Sequence, residues 1–70
     1  MQFTPVQSRM ILGVRYNEQT HEMDVVFQKG GTYRYKRVPR SVYDGLLNAE
    51  SQGQYMHKTV LGKYDYERLE

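Results

Sequence analysis

Residues 25–39, VVFQKGGTYRYKRVP, constrain the fold of this chain more than any other stretch: an apolar run, a double glycine, an aromatic and basic alternation and a proline succeed one another without an acidic residue. Over residues 23–28, Met23, Val25 and Phe27 share one face and Asp24, Val26 and Gln28 the other, the two-residue period of a strand. Gly30-Gly31 is expected to supply the positive φ angles of a tight hairpin turn. Residues 32–38 then read as the returning strand, with Tyr33, Tyr35 and Arg37 on one side and Arg34, Lys36 and Val38 on the other. Pro39 cannot donate to a ladder, so it stops the sheet, and its fixed φ suits the first turn of a helix.

The flanking sequence completes an α+β unit. Residues 10–16 have a strand-like pattern in which Ile11 and Tyr16 are out of phase, with Gly13 between them allowing a bulge or a close approach, and residues 17–20 carry turn chemistry. After Pro39, Val42, Leu46 and Ala49 recur at helical spacing beside Tyr43 and Leu47. Ser41 and Asp44 resemble a capping box, and Gly53 reads as the left-handed residue that ends this helix. Gly45 either weakens the helix or lets it approach the sheet closely. Residues 55–61 predict a second short helix, and Gly62 turns the chain into Tyr64-Asp65-Tyr66, a short strand or docked tail. The expected architecture is a single domain over residues 1–70: a three-stranded antiparallel β-meander packed with one main helix, a short second helix and a C-terminal segment.

Size and composition narrow the function. A chain of 70 residues buries only about 60% of the surface its unfolded form exposes, which leaves little room for an enclosed active site. There is no cysteine to form a staple or a thiolate metal site. No apolar run reaches the roughly 20 residues that span a bilayer, and residues 1–12 do not have the pattern of a signal peptide, so a cytoplasmic protein with no membrane partner is expected. His21 and His57 lack metal-ligand partners at helical or hairpin spacing, and Ser41 with Asp44 is better read as helix-start chemistry than as a nucleophile and base. The reading is non-catalytic, with no cofactor and no metal.

Charge and tyrosine content point to a binding surface. Between Asp24 and Asp44 the only charges are those of Lys29, Arg34, Lys36, Arg37 and Arg40, half of the ten basic residues, although the net charge is only +2. An unneutralised basic patch attracts phosphate-bearing ligands. On this reading Arg34, Lys36, Arg37 and Arg40 supply charge-assisted contacts, and Tyr33, Tyr35, Tyr64 and Tyr66 supply stacking or hydroxyl contacts. The competing readings are that Tyr33 and Tyr35 belong to the core, and that the charged strand keeps the sheet soluble.

The order Pro5-Val6-Gln7-Ser8, Tyr16, Val26-Phe27, Gly31, Tyr33-x-Tyr35, Val38-Pro39, Leu46, Ala49, Ser51-x-Gly53 and Tyr64 resembles the KTSC domain, a family named for the C-terminus of some lysyl-tRNA synthetases. Arg9 stands where the family pattern has the second of two serines. The resemblance covers nearly the whole chain and implies a compact β-β-β-α unit, found also as stand-alone bacterial and phage proteins, with a suggested role in RNA binding. The expected partner is therefore RNA or a small phosphate-rich nucleotide. A narrower variant is a phage-type sponge that sequesters a cyclic or other nucleotide signal between the subunits of a homo-oligomer. The contrasting class is a protein-interaction or assembly module that uses an exposed strand edge or the Tyr55-Met56 and Leu61-Tyr66 surfaces.

Overall fold

Alternating apolar residues build a sheet whose two faces differ sharply in chemistry. The computed structural model describes residues 3–5 and 8–70, so Val6 and Gln7 of the N-terminal motif lie outside the described residues. Strands β1 (Thr4–Pro5), β2 (Ile11–Asn17), β3 (Glu22–Phe27), β4 (Gly31–Tyr35) and β5 (Tyr66–Arg68) pair antiparallel in the order β1-β2-β3-β4-β5. Helix α1 (Arg40–Asn48) follows the meander, and α2 (Gln52–Tyr55) runs directly into a π-helical turn, Met56–Val60. The expected three-stranded meander is present as β2, β3 and β4, and the C-terminal segment adds a fourth substantial strand. The register shifts between Ile11 and Gly13, where Gly13 was expected to allow a bulge.

One face of the sheet carries the core. Opposed residues in antiparallel strands point to the same side. The register therefore places Val14, Val25 and Tyr33 in one row and Tyr16, Met23, Tyr35 and Tyr66 in the next. Val14, Val25, Met23 and Tyr35 are buried there with Val38, Tyr43, Leu46, Met56 and Val60. On the other face, Arg15, Asp24, Arg34 and Glu67 form a polar row across β2, β3, β4 and β5.

Several local expectations are corrected by the geometry. Of the two hairpin glycines, Gly31 carries the positive φ, 82°, and a Cβ there would run into the carbonyl oxygen of Glu70. Strand β4 stops at Tyr35 rather than Val38 because Arg37 turns the chain with a φ of 56°, which removes it from the tyrosine face. No side chain caps α1; Asp44 is engaged by Arg40 one turn earlier, with Nε donating to Oδ1 at 3.0 Å. Gly53 does not end α1, since Ala49 is already extended (φ −70°, ψ 141°), and Gly53 lies inside α2. Ser51 supplies the cap for α2, its Oγ accepting from the Gln54 amide at 3.3 Å. Gly45 faces the Tyr55 ring rather than the sheet, and the Tyr55 hydroxyl donates to the Val42 carbonyl at 3.0 Å. Its missing side chain is what lets α2 lie against α1.

Candidate ligand-binding surfaces

The polar face of the sheet is a closed network of charges. Asp24 is 4% exposed and receives Arg15 Nε at 2.8 Å and Arg34 through Nε at 2.9 Å and NH2 at 3.1 Å. Burial pushes its carboxyl up, but the hydrogen bonds and charges of Arg34 and Arg15 outweigh that and leave it below its ordinary value. The same hydrogen bond raises the pKa of Arg34. Arg34 also lies 3.9 Å from Glu22.

The other basic residues assigned ligand contacts from the sequence, Lys36, Arg37 and Arg40, have carboxylate partners too. Lys36 is 3.9 Å from Glu67, Arg37 donates to Asp65 at 2.6 Å, and Arg40 contacts both Glu18 and Asp44. Arg40 also lies over the stacked rings of Tyr16 and Tyr43, whose centroids are 5.3 Å apart. The expectation of an unneutralised patch on residues 34–40 is therefore overturned. Asp24 comes from the neighbouring strand, Glu67 and Asp65 from the C-terminal segment, and Glu18 from the β2–β3 turn. A count of charges within one segment does not see partners that the sheet register brings alongside.

The tyrosines divide between core and surface. Tyr35 is 3% exposed, and burial, with smaller effects from Tyr33 and Tyr66, raises its phenol to about 12. It is a core residue, and its ring is closed to stacking. Tyr33 is partly exposed, whereas Tyr66 is 60% exposed. Tyr33 meets Phe27 edge-on at 5.7 Å and Tyr66 at a tilt at 5.5 Å, while Tyr66 is also 5.9 Å from Tyr35. These rings form one wall of a half-open cleft of about 480 Å³ at the end of the core face, completed by Met10, Leu61 and the buried Tyr35. Tyr64 is partly buried and lines the adjoining depression with Lys63.

The cleft joins the Leu61-Tyr66 surface to residues that the sequence reading did not connect with it. Met10 comes from the segment before β2, Phe27 from the end of β3, and Leu61 from the end of the π-helical turn. Phe27 was recognised as a strand residue, and its pairing with Gly31 at the hairpin end gives the signal that its ring lies beside Tyr33. Among the described residues Arg9, Lys29, Lys58, Lys63 and Arg68 have no carboxylate side-chain partner; of these Arg9, Lys29 and Lys63 flank the aromatic cleft, Arg68 lies over its Tyr33 ring, and Lys58 stands apart. No group of three metal-ligating side chains occurs among the described residues, and no helix there is long and apolar enough to cross a membrane.

The model of the KTSC domain matches residues 7–64 of this sequence. The chain belongs to the KTSC family. A KTSC domain protein from Yersinia pestis superposes with a TM-score of 0.96 at 28% identity, over 99% of this chain and 97% of that one. A lysine–tRNA ligase of Trichormus variabilis is 44% identical over 55 residues, which are 79% of this chain but 10% of the ligase. This KTSC chain thus spans about a tenth of the ligases it matches. A protein of Stutzerimonas stutzeri is 30% identical over the full length of both chains, so the domain also occurs without a ligase attached.

Proposed function

We propose that this KTSC domain is a non-catalytic binding module for RNA or a nucleotide, and that the base is received by the aromatic cleft rather than by the basic strand. The observation that carries this reading is the cleft itself. Phe27, Tyr33 and Tyr66 present ring surface at the partly open end of the core face, and Lys29 and Lys63 stand beside it without carboxylate partners. Base stacking on such rings contributes roughly 1–3 kcal/mol per base and tolerates any base identity. The likeness to a segment of lysine–tRNA ligases is in keeping with an RNA partner.

The test is fluorescence anisotropy with a labelled single-stranded RNA at low and moderate salt. Tyr66→Ala is expected to weaken binding about 5- to 100-fold, from the stacking range above. Arg37→Ala, which removes an exposed and already paired guanidinium, is expected to change it less than about 3-fold. Absence of binding at low salt, or a larger loss from Arg37→Ala than from Tyr66→Ala, refutes the proposal. A second reading rests on the outer edge of β5, where Tyr66, Glu67 and Arg68 are all exposed and open to strand addition by a protein partner. Salt separates the two, since binding through phosphates weakens steeply as salt rises.

A further inference from the structure

Three depressions adjoin one another along one side of the molecule and share their lining residues. The first, about 400 Å³, holds Arg9 and Lys29 and shares Met10, Phe27 and Gly30 with the aromatic cleft. The third, about 500 Å³, holds Lys63 and Tyr64 and shares Gly62 and Tyr66 with the same cleft. The result is a trough with positive charge at each end and rings in the middle, where Arg68 adds a further cation over Tyr33. A glycine is among the shared residues at each junction, Gly30 at one and Gly62 at the other. Arg68 sits over the Tyr33 ring at 5.9 Å from its centroid, its Nε donating to the Glu70 carbonyl at 2.8 Å. Asp65 also lines the third depression, but its carboxylate is engaged by Arg37.

This charge order is informative about the ligand. A nucleoside 5′-phosphate has its anion on one side of the base only and engages one end of such a trough. An internal nucleotide of a strand has a phosphate on each side and engages both. A duplex keeps its bases stacked and paired and cannot offer them to the central rings. A cyclic dinucleotide folds its two phosphates back into a small ring rather than extending them to opposite ends.

We infer that, granted the binding reading above, the ligand is an extended single strand of RNA, with one base on Tyr33 and Tyr66 and the flanking phosphates on Arg9 and Lys29 at one end and Lys63 at the other. The trough therefore selects for chain continuity on both sides of the stacked base. Neither a nucleoside 5′-monophosphate nor a cyclic dinucleotide satisfies it.

The experiment is a titration of the intact chain with adenosine 5′-monophosphate, adenosine 3′,5′-bisphosphate, the trinucleotide pApApA, a cyclic dinucleotide and an RNA duplex. The bisphosphate and trinucleotide are expected to bind at least about 10-fold more tightly than the monophosphate, cyclic dinucleotide or duplex. Lys63→Ala and the pair Arg9→Ala with Lys29→Ala should each abolish the advantage of the bisphosphate over the monophosphate. Each should also reduce the trinucleotide's salt slope, by about 0.7 per phosphate contact removed. Equal affinity for monophosphate and bisphosphate, with Tyr66→Ala still weakening both, overturns the trough while leaving the aromatic cleft in place. Tighter binding of the cyclic dinucleotide or the duplex also overturns it. If no probe binds, the cleft reading and the trough fail together.

Discussion

Replacing Asp24 with asparagine preserves the volume of a buried side chain while removing the charge on which two arginines converge. Arg15 reaches this carboxylate at 2.8 Å and Arg34 at 2.9 and 3.1 Å, and the residue itself is 4% exposed. Removing one member of a fully buried ion pair costs about 3–5 kcal/mol. Here the arginine side chains keep 26% and 31% of their exposure, so water takes over part of the lost interaction, and about 2 kcal/mol is expected. For a domain of this size that lowers the melting temperature by roughly 8–16 °C. The pH dependence has a definite sign. The native carboxyl lies below its ordinary 3.8, so its contribution is complete above that value and disappears as pH falls through the lower native one. Urea unfolding followed by circular dichroism should show the full gap between wild type and Asp24→Asn at pH 7, narrowing progressively below about pH 4. A gap under about 0.5 kcal/mol at pH 7, or one unchanged in acid, would refute the assignment of Asp24 as the electrostatic centre of the polar face.

Two further substitutions test the packing. In Gly45→Ala the new Cβ would meet Tyr55 Cζ at 2.8 Å and Cε2 at 3.1 Å. Overpacking of about 1–3 kcal/mol should outweigh alanine's helix advantage of roughly 1 kcal/mol, and a raised melting temperature would show that α1 and α2 part without cost. Tyr35, with its phenol at about 12, favours the neutral form on folding, so its contribution is intact below an unfolded value of 10 and declines as pH climbs from there towards 12. The corresponding loss is about 2–3 kcal/mol. Tyr35→Phe should flatten the alkaline limb of the urea-unfolding stability profile, and an unchanged limb would assign the loss to other groups.

The meander was legible because its signals are local. Met23, Val25 and Phe27 alternate, Gly13 sits at a register break, and Pro39 opens the helix, each through the conformation of a few consecutive residues. The helix ends were harder to place. Gly53 was read as the close of one helix and instead lies inside the next, which Ser51 caps, because Ala49 already leaves helical geometry. The second helix consequently starts three residues before the expected Tyr55. Arg37 was lost from β4 to a positive φ, a conformation that an arginine does not announce.

The site was legible only in part, for a different reason. Tyr33 and Tyr66 line the cleft, and Tyr64 borders it, but Tyr35 is buried and Arg34, Lys36, Arg37 and Arg40 face carboxylates. A stretch free of acidic residues in sequence is not free of them in space. Asp24 lies directly opposite Arg34 in the ladder, and Glu67 arrives opposite the same residue from the far end of the chain. Conversely, Arg9 and Lys63, isolated in sequence, escape neutralisation because they sit outside the strands that bring acids alongside.

The last strand gives the two surfaces opposite requirements. Docked, β5 delivers Tyr66 to the aromatic wall, and the segment around it brings Glu67 to Lys36 and Asp65 to Arg37. A three-residue edge strand belongs to the part of a sheet that opens most readily. When it peels away, Lys36 and Arg37 are unmasked and the cleft loses a ring in the same event. The domain thus cannot keep its full aromatic wall and uncover Lys36 and Arg37 at once, and the docking of its final residues decides which of the two surfaces is presented.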